Sequence, residues 1–487
     1  MDVALDDGQR RWTFAQLDAE THTLAERLMT QGIRVMATLM DNTPAWVVAD
    51  RAAAGVGIVH VPLPPFFTPE QIAHALGAAG VDTVLTTAPV AALWPAAGGS
   101  PLVVAGQALV LVRLPARTAS MPAGTAKITF TSGTTGAPKG VCLSATAMES
   151  VAAGLVAALE PLDIRRHLCA LPFSVLLENI AGLMAPLMRG ATCVTLPLAE
   201  LGLAGSSSFD AARFHQAVVL HRPDSIILLP QMLRIWTAYL MQTGQRAPDG
   251  LKLVAVGGAA VGARLLQAAH AMGIPAFEGY GLSEGASVQA LNLPGAAVSG
   301  SAGRPLPHAQ IRIAGDGEIE VAGSLFLGYL GPTGDTTARQ GAWWPTGDLG
   351  RIDAEGFLHI SGRKKHVLIT TFGRNVSPEW VETALGSEPA VAHAVVFGDG
   401  EPALWAVLWP TRADVADAVL QAAVDAANTT LPDYARVHRW VRAQADFTLA
   451  SGCATANGRP QRAAVLRLHG GSAAMPAAPV FSPLMHV

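Results

Sequence analysis

From residue 13 to about 310, apolar positions recur with a helical period and a strand period in turn. The stretch "TFAQLDAETHTLAERLMTQG" spaces its apolar residues as a helix does and stops at Gly32, which can take the left-handed turn that ends helices. "VDTVLTT" and "LKLVAVGG" are short apolar runs closed by turn residues and predict buried strands. This alternation predicts an α/β architecture of parallel sheets covered on both faces. Between about 300 and 362 the texture changes. "AQIRIAGDGEIEVAGSLFLGYLG" and "GRIDAEGFLHISG" read as strands joined by Asp-Gly and Glu-Gly turns, so a small antiparallel unit is expected. Beyond "GRKKH" a shorter α/β segment follows, and "GGSAAMPAAPVFSP" reads as a frayed tail.

A chain of 487 residues exceeds one hydrophobic core, so two or three domains are expected. With 50% hydrophobic and 14% charged residues the composition is globular. A net charge of −4 excludes a general nucleic-acid binder, which needs a basic excess to neutralise phosphates. Cys142, Cys169, Cys193 and Cys453 lie far apart without a CxxC, and the histidines form no HxxxH or helically spaced His–Glu pair. Reduced thiols are therefore expected, and neither a disulfide framework nor a zinc site. No apolar run reaches the roughly 18 residues that span a bilayer, and the N-terminus lacks a signal-peptide pattern. A cytoplasmic protein without a membrane span is expected, with peripheral membrane contact left open. Lysine is scarce: Lys127, Lys139, Lys252, Lys364 and Lys365 stand against 28 arginines.

The densest chemistry lies in "ITFTSGTTGAPKG", residues 128–140. A strand runs into Thr131, Ser132, Gly133, Thr134, Thr135 and Gly136, and Lys139 follows. Glycines let backbone N–H groups turn toward an anion, hydroxyls add adjustable donors, and the lysine adds positive charge. A phosphate-binding loop is the functional reading. A Walker P-loop is excluded, because Gly140 follows Lys139 where Ser or Thr is required. "VAVGGAAVGARLL", with Glu278 about twenty residues on, imitates a dinucleotide fingerprint, but Gly257 and Gly258 are adjacent and position 259 is Ala.

Taken in order, these motifs resemble the adenylate-forming superfamily of acyl-CoA synthetases, peptide-synthetase adenylation domains and luciferases. "GRKKHVLITTFGRNVSPEWVE" and "LPFSVLLENIAG" look most like its long-chain fatty acyl-CoA synthetase branch. The resemblance implies a large N-terminal domain (1–362) of parallel αβ subdomains with a small β-barrel-like unit. A smaller, mobile α+β C-terminal domain (363–487) would follow. It implies that "TSGTTGAPKG" closes over the β- and γ-phosphates of ATP, with Thr131 also toward Mg²⁺. In "GYGLSEG", Tyr280 and Gly281 would lie at adenine, Ser283 near the α-phosphate, and Glu284 on Mg²⁺. Gly258 and Ala259 would line the adenine and acyl pockets. Asp348 in "WWPTGDLG" would accept the ribose hydroxyls, and Arg363 would reach ribose and phosphates. In the family the C-terminal domain rotates about the position held here by Lys365, and the loop around Gly373 then borders the pantetheine channel.

The implied activity is an ATP- and Mg²⁺-dependent ligation of a carboxylic acid, a fatty acid by preference, to CoA or a phosphopantetheine thiol through an acyl-adenylate. Alternatives are an acyl-carrier-protein ligase, an acyl-AMP or β-lactone-forming specialist, and a nucleotide-binding pseudo-enzyme. One departure bears on the choice. The family's catalytic lysine, in a stretch similar to "FTLASGCATANGRPQR", is replaced by Arg459, with Arg462 in place, and no lysine follows Lys365. Arg459, Lys139 and Glu284 are the expected catalytic residues. The helix beginning near Ser174, with segments 228–236 and 256–260, is expected to build the acyl pocket, Gly182 lying beside its tunnel.

Overall fold

Thr13 accepts a hydrogen bond from the Gln16 amide while the Gln16 side chain accepts one from the Thr13 amide. This reciprocal cap opens the helix Phe14–Thr30 where the pattern predicts it, and Gly32 leaves the helix at φ +62°. The computed structural model describes residues 2–115, 117–131, 138–205, 208–331, 343–372, 374–448, 450–455 and 460–470. They fall into two compact units, Met1–Ser361 and Gly362–Val487.

The first unit holds two large sheets. In one of nine strands, Val3–Asp6, Thr192–Val194, Arg166–Leu168, Ser225–Leu228, Leu253–Val256 and Ala276–Leu282 run parallel. Helices Ala211–His221, Pro230–Thr243 and Ala263–Ala271 cover it through Phe214, Trp236, Leu240 and Leu266. In the other, of eight strands, Lys127–Thr131, Val59–Pro62, Val35–Leu39 and Thr83–Thr86 are parallel. The sheets are mixed rather than wholly parallel. Their edges are antiparallel pairs such as Gly99–Val104 with Gln107–Arg113, whose connections are too short for a crossover. A four-stranded sheet follows, formed by Ala309–Ile313, Glu318–Gly323, Trp344–Ile352 and Leu358–Arg363. Its first pair is antiparallel and turns on Asp316 and Gly317, where the Asp316 carboxylate accepts the Glu318 amide.

One segment departs from the hydropathy reading. Ala145–Leu162 is 18 residues long with a mean hydropathy of 1.2, enough by length and composition to cross a membrane. Its Met148, Val151, Ala152 and Leu155 pack into a core cluster with Ile180, Val288 and Phe326.

A buried polar network underlies the strand Lys127–Thr131. Lys127 Nζ lies 2.8 Å from Asp50 Oδ1 and also donates to Asn179 Oδ1. His60 Nδ1 lies 2.6 Å from the same carboxylate, and its Nε2 is 2.9 Å from Thr38 Oγ1. Burial pushes the Asp50 pKa up, but the Lys127 charge and His60 more than offset it and hold the carboxylate ionised. Burial lowers the His60 pKa, which keeps the imidazole neutral.

In the second unit, Val391–Phe397 pairs antiparallel with Leu404–Pro410, which pairs parallel with Val437–Arg442. Helices Pro378–Gly386 and Asp417–Asn428 pack on this sheet through Val381, Leu385, Leu420 and Val424. Arg462 forks onto Glu382 at 2.5 and 2.8 Å. This bidentate grip gives Arg462 a structural role within its unit.

Candidate active site

The phosphate-loop motif joins two antiparallel strands, Lys127–Thr131 and Lys139–Leu143, with Thr131 directly opposite Lys139. The hairpin's two ends are thereby held together in register. His74 Nε2 lies 3.1 Å from the Pro138 carbonyl and pins the exit of the loop. Ser132, Gly133, Thr134, Thr135 and Gly136 lie outside the described residues.

The strand Gly328–Tyr329 adds to Lys139–Leu143 and pairs Tyr329 with Val141. This brings a residue to the site that sequence reasoning missed. Tyr329 Oη donates to Glu284 Oε1 at 2.6 Å, and Lys139 Nζ stands 5.5 Å above the same ring, within cation–π range. The ring is packed edge-on against Phe326 and near Trp344. Burial and the Glu284 carboxylate push the phenol's pKa up, so it remains a donor. The only sequence signal was "GYLG" in the strand pattern, which says nothing of where the ring points.

Glu284 sits in the short turn Ser283–Gly285, followed by Ala286 at φ +54° and Ser287 at φ +113°. Positive φ at two successive non-glycine residues is costly backbone, which persists only where the surroundings impose it. Gly281 makes this turn possible: a Cβ there would lie 2.3 Å from the Ser287 carbonyl oxygen. The Phe326 amide donates to the Glu284 carbonyl at 2.7 Å, tying the turn to the approach of Tyr329. A carboxylate and the Thr131 hydroxyl are hard oxygen donors, and this donor set fits Mg²⁺.

Tyr280 and Asp348 meet. Tyr280 Oη donates to Asp348 Oδ2 at 2.7 Å, with both side chains buried. Asp348 is held in turn by its own amide, which donates to Thr346 Oγ1 at 3.1 Å. Gly258 turns at φ +86°, and Ala259 beyond it is exposed. Glu278 accepts the Val261 amide at 3.1 Å and so holds the end of that loop, and burial raises its pKa to about 7. A Cβ at Gly257 would sit 3.9 Å from Leu177, and one at Gly258 3.3 Å from Leu229. Two half-buried leucines therefore flank this turn. Gly182 is different: a Cβ there would meet Glu178 Oε1 at 2.4 Å and His167 Nε2 at 3.0 Å. It faces a polar cluster, which corrects the expectation of an apolar tunnel beside it.

In the second unit, Arg363 is half-buried at the end of its strand and Lys365 is exposed in the turn Lys364–His366. His366 pairs with Glu379 beside this turn. Gly373 and Arg459 lie outside the described residues.

This chain is similar in sequence and in structure to known proteins. A family model described as AMP-binding enzyme matches residues 1–330, and one described as AMP-binding enzyme C-terminal domain matches residues 365–469. The chain belongs to the AMP-binding enzyme family. A long-chain-fatty-acid–CoA ligase of Mycobacterium bovis is 42% identical over 154 residues, 31% of this chain and 26% of that protein. The match thus spans about a quarter of that relative's length. A 2-succinylbenzoate–CoA ligase of a Geobacillus species is 29% identical over 417 residues, 81% of each. The solved o-succinylbenzoate–CoA synthetase of Bacillus subtilis, in complex with ATP and magnesium, is similar with a TM-score of 0.74 at 26% identity. That likeness covers 95% of this chain and 96% of the other.

Proposed function

We propose that the protein is an AMP-forming acid–thiol ligase that activates a carboxylic acid, a fatty acid by preference, and passes it to CoA. The observation that carries this reading is the convergence of Lys139, Tyr329 and Glu284 beside the ends of the phosphate-loop hairpin. A carboxylate is a poor electrophile, since its charge is delocalised and oxide is a bad leaving group. Its oxygen attacks the α-phosphorus of ATP, the bond to pyrophosphate breaks, and an acyl-adenylate forms. A thiol sulfur then attacks the acyl carbon, the thiol proton is released, and AMP leaves. The chain's part is to hold the reactants and offset charge. Lys139 and the loop amides meet the phosphates, Asp348 accepts ribose hydroxyls, and Tyr280 braces both Asp348 and the adenine. Glu284 and Thr131 would hold Mg²⁺, which neutralises phosphate charge when bound. Arg363 reaches toward ribose, and Lys365 and the Gly373 loop serve the second half-reaction. The four buried thiols, Cys142, Cys169, Cys193 and Cys453, support a reducing, cytoplasmic setting.

The fatty-acid preference rests on the Mycobacterium ligase and on Leu177 and Leu229 beside the Gly257–Gly258 turn. An aryl acid is the second reading, favoured by the longer match to a 2-succinylbenzoate ligase. Pyrophosphate release over a panel of fatty and aryl acids, with and without CoA, separates the two. Release without any CoA-dependent thioester would point to a carrier-protein acceptor or an acyl-AMP or lactone product. No release with any acid would leave a nucleotide-binding protein and overturn the proposal.

Two substitutions probe the site. Asp348→Ala removes a buried charge-assisted acceptor worth about 1.5–3 kcal/mol, and ATP should bind about 10- to 100-fold more weakly. Equal affinity by calorimetry would remove Asp348 from the site. Tyr329→Phe keeps the ring under Lys139 and deletes the bond to Glu284. The Mg²⁺ concentration for half-maximal pyrophosphate release should rise about tenfold. An unchanged Mg²⁺ dependence would make Tyr329 a packing residue only.

A further inference from the structure

Beneath the same unit lies a cluster that the proposed reaction does not use. His167 in the strand Arg166–Leu168, Cys169 just after it, and Glu178 opening the π-helical turn Glu178–Met184 converge. Their ligand atoms lie within 4.8 Å of one another, and the three residues are 2%, 0% and 0% exposed. His167 Nε2 stands 3.5 Å from Glu178 Oε1, beyond a good hydrogen bond. Neither that nitrogen nor either Glu178 oxygen has a hydrogen-bond partner among the described residues. The amides of Ala170 and Leu171 approach the carboxylate without reaching hydrogen-bond geometry. Two buried acceptors facing each other across such a gap call for a cation between them, because an uncompensated buried carboxylate is costly.

We propose that His167, Cys169 and Glu178 form a buried structural site for a zinc ion. An imidazole nitrogen, a thiolate and a carboxylate make a ligand set suited to zinc. Metal–ligand bonds of about 2.0–2.3 Å in a tetrahedron place ligand atoms about 3.3–3.8 Å apart, the spacing found between His167 and Glu178. His167 Nδ1 lies 2.8 Å from Ser225 Oγ, and donation to that hydroxyl turns a lone pair on Nε2 toward Glu178. The Cys193 thiol lies beside that of Cys169. Gly182 keeps the space open, since a Cβ there would collide with the Glu178 carboxylate. Spacing in the sequence hid the site, because its ligands come from the end of one strand and from a separate turn. π-Helical turns inside helices are rare and concentrate at functional sites. This one carries Asn179 as well, so a bound ion would also steady the partner of Lys127. With its three ligands buried, the ion would enter during folding and stabilise the unit.

The test uses the full chain, produced in zinc-supplemented medium and purified without chelator. Elemental analysis should find one zinc per chain that survives dialysis. Refolding with Co²⁺ should give sulfur-to-cobalt charge-transfer absorption, which a purely structural cluster would not produce. Cys169→Ser should abolish that absorption, and Glu178→Gln should lower Co²⁺ affinity at least tenfold. The proposal is overturned if the parent chain holds no stoichiometric zinc and shows no cobalt–sulfur absorption. In that case the three groups share a proton instead. Metal binding unchanged in both variants would place the ion elsewhere and overturn it equally. Should either variant fail to fold, the two measurements on the parent chain still decide.

Discussion

Replacing Lys127 by alanine is expected to destabilise the N-terminal unit by about 3–5 kcal/mol, the cost of breaking a buried ion pair by removing one partner. Lys127 is 7% exposed, and its ammonium serves both Asp50 and Asn179. Without it the Asp50 carboxylate keeps, among the described residues, the Asn179 amide at 3.3 Å and His60, which burial holds neutral. Lys127→Arg should be costly too. The guanidinium is broad and planar, and the pocket is shaped around a compact point charge. In a chain with five lysines and 28 arginines, a lysine at this position reflects that geometry. Because the same strand ends at Thr131, ATP binding should weaken along with stability. Denaturant unfolding followed by tryptophan fluorescence reads the effect, and a shift under about 1 kcal/mol would show that the network relaxes around the loss.

Arg459→Ala is expected to slow acyl-adenylate formation by on the order of 10²-fold or more. The expectation rests on the motif, in which Arg459 occupies the place of the family's lysine. A cation is needed where the substrate carboxylate approaches the α-phosphate, and a guanidinium can hold oxygens of both. Thioester formation from pre-made acyl-AMP should change far less, since the C-terminal domain of the family has by then rotated. Arg459→Lys should keep or raise the adenylation rate. Single-turnover measurement of both half-reactions separates these outcomes, and equal adenylation by Arg459→Ala would leave Arg459 a surface arginine.

Much of the site could be read along the chain because its parts are local. The helix opened by Thr13, the Asp316–Gly317 turn and the strand running into Thr131 each follow from periodicity and from the demands of a few neighbouring residues. The order of the glycine-rich motifs carried the family, since glycines and hydroxyls beside an anion are needed at short, fixed spacing. Tertiary structure alone decided which distant groups meet. Tyr329 joins Lys139 to Glu284 only because its short strand pairs with the strand after the phosphate loop. Gly182 reads in sequence as a small residue on an apolar helix, yet the fold turns it onto His167 and Glu178. In sequence Lys127 is only one of five lysines, and it is the fold that closes Asp50 and Asn179, far off in the chain, around it. The physical reason is common to all three. Hydrophobic period reports which face of an element is buried, but the charge and hydrogen-bond partners of a buried polar group come from elements whose approach is set by packing of the whole unit.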